Sequence, residues 1–252
     1  DALHPLPSEM RILDSTGTLK TTRNWTYNLR GQVTSEKVTD SSSANSRTVA
    51  TTYCEQADVD ASACPIVGLV KSMDGARTDV PDVVAYTYRM ADEANCSAAP
   101  TTCLYRKGDL WKVTNTYGHV SEILKYDGAA RPLSIKDQNG IVSDFEYDAR
   151  GRLSARKVRG TNSAVETDDQ ITRIEYWPTG LVKEVVQPDG AFTSYTYDHA
   201  HRLTGIFDSA GHSITYTLNA AGERVKEDTK DDEGVLLHTL SRTYNALGQM
   251  LA

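Results

Sequence analysis

Asp198, His199, His201 and His212 carry the carboxylate and imidazole groups that bind transition metals. Two acidic clusters are the other candidates: Asp168 with Asp169, and Asp228, Asp231, Asp232 and Glu233 in "KEDTKDDEGV". A glycosidase pair or a calcium site needs carboxylates at fixed spacing on rigid elements, and neither cluster has the D-x-[DN]-x-[DN]-G order. The histidines fall where sister copies of a repeat, described below, carry Ala, Pro and Gly. Exposed turn polarity and solvated loop charge are therefore the readings. There is no G-x-S-x-G elbow and no phosphate-cradling glycine loop. No catalytic residue, metal or cofactor is expected, and nothing here reads as an enzyme. Thirteen Tyr against three Phe could form a stacking surface for sugars; cross-strand packing is the simpler use of such rows.

The four cysteines form two close pairs, Cys54 with Cys64 and Cys96 with Cys103, in polar stretches. The spacing is not C-x-x-C and no histidine follows at finger distance, which argues against zinc. Local disulfides that staple two loops are the expectation, with free thiols as the alternative; disulfides point to export from the cytoplasm.

These groups must sit on strands. The composition is rich in Thr, Ser, Tyr and Val, and helical periodicity is absent. A net charge of −7 speaks against a nucleic-acid groove. No apolar run approaches the ~20 residues that span a bilayer. The chain opens at Asp1 without Met and reads as a piece of a longer polypeptide.

A repeat of 21 residues organises the chain. Tyr126, Tyr147, Tyr176, Tyr197 and Leu218 hold one place, with "GTNSAVETDDQ" as a loop insertion in the longer step. Tyr105 lies another period upstream, and Tyr27 and Tyr244 are outlying copies. Four residues after the aromatic comes Gly (Gly151, Gly180, Gly222, Gly248). Eleven after it stands Asp137, Gln187 or Asp208, and fourteen after it Gly140, Gly190 or Gly211. Residues two apart share a strand face, so Phe145/Tyr147 and Tyr195/Tyr197 point together. Asp opens a turn by bonding its own backbone, and Gly three later takes a positive φ. Each unit is thus a pair of short antiparallel strands. Ala130 and His201 replace the turn glycine and must either bear its φ or change the turn. "DSSSANSRTVATTY" at 40–53 reads as an extended hairpin loop leading into a strand, with a linker as the alternative.

Tyr-Asp, Gly-Arg-Leu and Asp-x-x-Gly at this period resemble the YD repeat of Rhs proteins; "YDARGRL" (147–153) and "YDHAHRLTGIFDSAG" (197–211) are the nearest copies. The resemblance covers 105–252 well and 19–37 moderately. It divides the chain into 1–104, a degenerate repeat region with two cysteine-stapled loops, and 105–252, regular repeats, in one continuous sheet. It implies an all-β fold of antiparallel hairpins in a curved, spiralling sheet, part of a shell or cocoon. Its implied role is structural: an exported bacterial protein, secreted or at the cell surface, that encloses a C-terminal toxin of the same polypeptide for delivery. These 252 residues hold neither the D-P-x-G-x-x-G-type self-cleavage segment of bacterial members nor a toxin domain. The rival reading is a binding module that holds carbohydrate or a cell-surface partner on the Tyr-rich face. Two repeats approach the length of a propeller blade, but the W-D and G-H signatures of such blades are missing.

Overall fold

The computed structural model describes residues 6–41, 45–100, 102–161 and 165–251. Residues 42–44 of the 40–53 loop and 162–164 of the insertion lie outside the described residues. The chain divides into two compact units, 1–142 and 143–252, a division that falls inside the stretch of regular repeats.

The first unit is a meander of β1 (Glu9–Leu13), β2 (Leu19–Tyr27), β3 (Val33–Asp40), β4 (Ser46–Tyr53), β5 (Val70–Asp74), β6 (Val84–Tyr88), β7 (Leu110–Asn115), β8 (Val120–Tyr126) and β9 (Pro132–Lys136). Each strand pairs antiparallel with the next. One short helix, α1 (Gln56–Asp60), sits in the β4–β5 connection. The second unit repeats the plan with β10 (Val142–Tyr147), β11 (Leu153–Val158), β12 (Gln170–Tyr176), β13 (Val182–Val186), β14 (Phe192–Tyr197), β15 (Leu203–Asp208), β16 (Ser213–Leu218), β17 (Arg224–Lys230) and β18 (Leu236–Ser241). Its pairing is again sequential and antiparallel. The fold class is all-β, as the repeat requires.

Neither unit has a thick apolar interior. Among the described residues only Cys54, Cys64, Pro65, Cys96, Tyr126, Ser134, Ala155 and Gly205 are buried, half of them in the cystine loops. Whole strands such as β7 and β13 are half-buried at every position, on both faces. Polar residues on both faces of strands, such as Lys183 and Glu184 of β13 or Thr193 and Ser194 of β14, leave no dry side to bury, so the sheet stays one layer thick.

In each unit, turns within an odd–even hairpin (tips) lie at one edge and turns that lead to the next hairpin (linking turns) at the other. Most are the same structure. At Asp148 the carbonyl accepts the Gly151 N–H at 2.9 Å and the Asp148 N–H donates to the Arg152 carbonyl at 2.9 Å. Gly151 sits at φ 83. The ladder then skips a residue: Tyr147 faces Leu153 and Glu146 faces Ala155. This is a three-residue hairpin closed by a glycine bulge. Ala130 and His201 take the same turn, at φ 58 and 63, so they bear the left-handed conformation instead of changing the turn.

That cost is testable. A Cβ on Gly140 meets nothing within 4 Å, so Gly140→Ala tests φ +83 alone. It should destabilise its unit by about 1 kcal/mol, whereas Ala130→Gly should stabilise by about 0.5–1 kcal/mol. Urea melts of the two variants check the opposite signs; a loss at Ala130→Gly would refute the strain.

Candidate functional site

The chemistry the sequence invites is that of clasps. In each unit the residue that ends an even strand lies beside the start of the strand before it. There the tyrosine hydroxyl donates to that strand-start carbonyl: Tyr53 to Val33, Tyr88 to Val70, Tyr126 to Leu110 and Tyr176 to Leu153, and Tyr244, three residues past β18, does the same to Arg224. Tyr27 donates likewise to Pro7, just before β1. The six distances run from 2.6 to 3.1 Å. A hairpin is thereby fastened at both ends, by its tip and by its tyrosine. Tyr197 and Leu218 hold the place without this bond.

Tyr53 and Tyr88 escape the 21-residue count, which selects Tyr105. Tyr105 lies outside the strands, with the Arg89 guanidinium 4.0 Å from its ring. The pair is concealed because cystine loops replace the Asp-x-x-Gly turn after each. The usable signal is the strand ending itself, "ATTY" and "AYTY", matching "SYTY" at 194–197.

The acidic residue after the tyrosine caps the linking turn. Oδ1 of Asp127, Asp148 and Asp198 accepts the backbone N–H groups two and four residues on, at 2.8 to 3.0 Å. Oδ2 accepts the Nε of Arg131, Arg152 and Arg202, each at 2.7 Å. Gly-Arg-Leu is thus a physical signature: the arginine neutralises the cap. The Arg152 guanidinium also lies 4.1 Å over the ring of Tyr176, the next tyrosine clasp. Asp137 and Asp208 make the same caps at tips, with Gly140 and Gly211 at positive φ; Gly180 and Gly222 take positive φ in linking turns.

The caps at Asp148 and Asp198 hold their carboxylates below the ordinary range. For Asp148 and Asp198 the main cause is the backbone N–H of Arg152 and of Arg202. Asp14, at the first tip, is pulled down to about 2, chiefly by the Thr16 hydroxyl. A depressed folded-state pKa means stability that is full above the unfolded value and lost as pH falls through the folded one. The melting temperature should therefore drop progressively between about pH 4 and about pH 2. Differential scanning calorimetry across that window checks it, and a flat profile would contradict the caps.

The polar clusters separate. Asp198, His199 and His201 lie in the linking turn before β15, and His212 lies in the tip after it, paired with Asp208 at 3.1 Å. Asp169 Oδ1 accepts the Gly160 N–H at 2.7 Å and Asp168 accepts the Thr161 hydroxyl, closing the neck of the inserted loop. Asp228 is held by Lys226 and Thr239, while Asp231 caps its tip. Among the described residues the one group close enough to share a metal is Glu93, Cys96 and Cys103, and both of its sulfurs are in a disulfide.

Cys54 is joined to Cys64 and Cys96 to Cys103. Both bridges sit in linking connections of the first unit. Arg30 of the Asn28–Gln32 turn forks onto Glu55 beside Cys54, and Gln32 Nε2 donates to the Gly68 carbonyl at 2.8 Å. Ile66 packs against Gly108 of the second loop, where an added Cβ would lie 2.7 Å from its Cδ1. The Leu104 carbonyl accepts the Tyr126 N–H at 2.7 Å. A run of braced loops therefore lines the linking edge of this unit.

The RHS repeat family model matches residues 176–206, which run from the end of β12 into β15 and hold two linking turns with the tip between them. The structure of TcdB2-TccC3-Cdc42 matches 96% of the chain at 13% identity with a TM-score of 0.57, and shares its fold. The Tc holotoxin pore of Photorhabdus luminescens matches 94% at 15% identity, TM-score 0.43. TcdB2-TccC3 without its hypervariable C-terminal region matches 96% at 14% identity, TM-score 0.44. The chain spans 12%, 15% and 16% of those three chains. Residues 176–206 thus carry an RHS repeat, and the chain as a whole shares the fold of the TcdB2-TccC3-Cdc42 structure.

Proposed function

We infer that the chain is a wall segment of an exported bacterial shell protein, and that its role is structural. The observation that carries this reading is the one-layer sheet, fastened hairpin by hairpin through tyrosine hydroxyls and half-buried on both faces. Such a sheet separates two spaces without filling either. Two disulfides support passage through an oxidising compartment, and hence a secreted or surface location. The cargo of such a wall is a C-terminal toxin of the same polypeptide, held until delivery.

The test is limited proteolysis of the full-length parent protein. The region C-terminal to the repeats should survive protease while the repeats are folded, and be digested once Tyr126→Ala and Tyr176→Ala loosen them. Equal digestion in both proteins would overturn the reading.

A further inference from the structure

Two neighbouring linking turns of the second unit break the rules of their own repeat, and they do so around one cleft. In the described five-residue linking turns at Asn28, Asp127, Asp148, Asp198, Asn219 and Asn245, an Asp or Asn opens the turn. Its side-chain oxygen accepts the N–H four residues on, at 2.9 to 3.0 Å. At 177–181 the backbone turn is the same, with Gly180 N–H donating to the Trp177 carbonyl at 2.8 Å, but the opening residue is Trp177. The N–H groups of Thr179 and Leu181, which elsewhere converge on one carboxylate or amide oxygen, have no acceptor among the described residues. The tip at Gln187 also lacks Asp in the opening place, yet there Asp189 caps the Ala191 N–H at 3.0 Å.

The second departure is His201, which takes φ 63 where a glycine is at ease, with no hydrogen-bond partner for its ring among the described residues. The third is Tyr197, whose hydroxyl makes no clasp. Trp177, Pro178, Thr179, Leu181, Tyr197 and His201 line a cleft of about 460 Å³, together with Asp198, whose carboxylate is already held by Arg202. Trp177 is 39% exposed. Its indole N–H is directed to the Tyr195 carbonyl at 3.3 Å, which fixes the ring. The guanidinium of Arg150 donates to the Pro178 carbonyl at 2.6 Å and sets a positive charge beside the same turn. Local rules broken together at one place mark a site where stability has been given up for something else.

We propose that this cleft binds a small aromatic carboxylate. The flat apolar body stacks on Trp177 and Pro178, and its carboxylate oxygen takes the Thr179 and Leu181 N–H groups, the place an Asp side chain fills in the sister turns. Concave apolar sites with a few convergent donors bind ligands of this kind. The proposal is independent of the wall role.

The test is titration of the 252-residue chain with phenylacetate and with its neutral isostere phenylacetamide, read by amide NMR shifts. Phenylacetate should saturate with a dissociation constant on the order of 1 mM, moving the Thr179 and Leu181 amides most, and phenylacetamide should bind about tenfold more weakly. Trp177→Asp restores the cap of the sister turns. It should abolish binding while raising the melting temperature, which separates loss of the site from loss of the fold. Absence of saturation, equal binding of acid and amide, or binding that survives in Trp177→Asp would each overturn the proposal.

Discussion

Tyr126→Ala should lower the stability of the 1–142 unit by about 3–5 kcal/mol, the range for removing a buried aromatic side chain. Tyr126 is 7% exposed in a sheet with few buried residues, so little else can take up its packing. Its hydroxyl donates to the Leu110 carbonyl at 2.6 Å, and its backbone N–H ties the second cystine loop to β8 through Leu104. Burial, reinforced by the Asp109 charge and opposed by Arg89, pushes the phenol up to about 12. Tyr126→Phe keeps the ring and removes only the clasp, leaving a half-satisfied carbonyl, and should cost about 1–1.5 kcal/mol. Urea unfolding followed by far-ultraviolet circular dichroism measures both. A Phe variant as damaged as the Ala variant would mean that the hydroxyl, not the ring, dominates; an undamaged Ala variant would sink the clasp as the unit's fastening.

Replacing Cys54 and Cys64 by Ala should destabilise the same unit by about 2.5 kcal/mol, and replacing Cys96 and Cys103 by nearly as much. The chain-entropy loss depends on the closed loop, and the separations here are 10 and 7 residues. The two losses should differ in their coupling. The Cys96–Cys103 loop is tied to Tyr126 through Leu104, so its removal combined with Tyr126→Phe should be non-additive, since neighbours that share partners couple by about 0.5 kcal/mol or more. The Cys54–Cys64 loop leans on Arg30 through Glu55, an exposed pair worth little by itself, and should be additive with Tyr126→Phe. Thermal melts of the four variants, with and without reductant, decide this; wild-type melting insensitive to a thiol reductant would refute the contribution of both bridges.

The strands were legible because the repeat writes them twice. Alternation in runs such as "SITYTL" and the acidic and glycine corners give strand, turn and register from local rules alone. The arginine after the glycine was legible as a pattern but not as a cap, because its partner lies four residues back across a bulge that only the folded turn creates. The first 104 residues hid their order for a different reason. Tyr53 and Tyr88 keep the clasp, yet each is followed by a long connection, and a spacing count cannot see a hairpin whose turn has been exchanged for a loop. Nothing in the sequence sets Trp177 apart. Its meaning depends on two unanswered N–H groups, and those exist only once the turn is shown to keep its shape without Asp.

Among the described pairings each strand of these meanders is bonded only to its neighbours in sequence, and β18 to β17 alone. Tension applied at the C-terminal end of the chain would thus load the β17–β18 rungs singly and in sequence, as in peeling tape. The force trace of the second unit should be a staircase of small, similar releases, one per hairpin, rather than a single high rupture. A sheet built this way yields gradually from its end while the remainder keeps its weave.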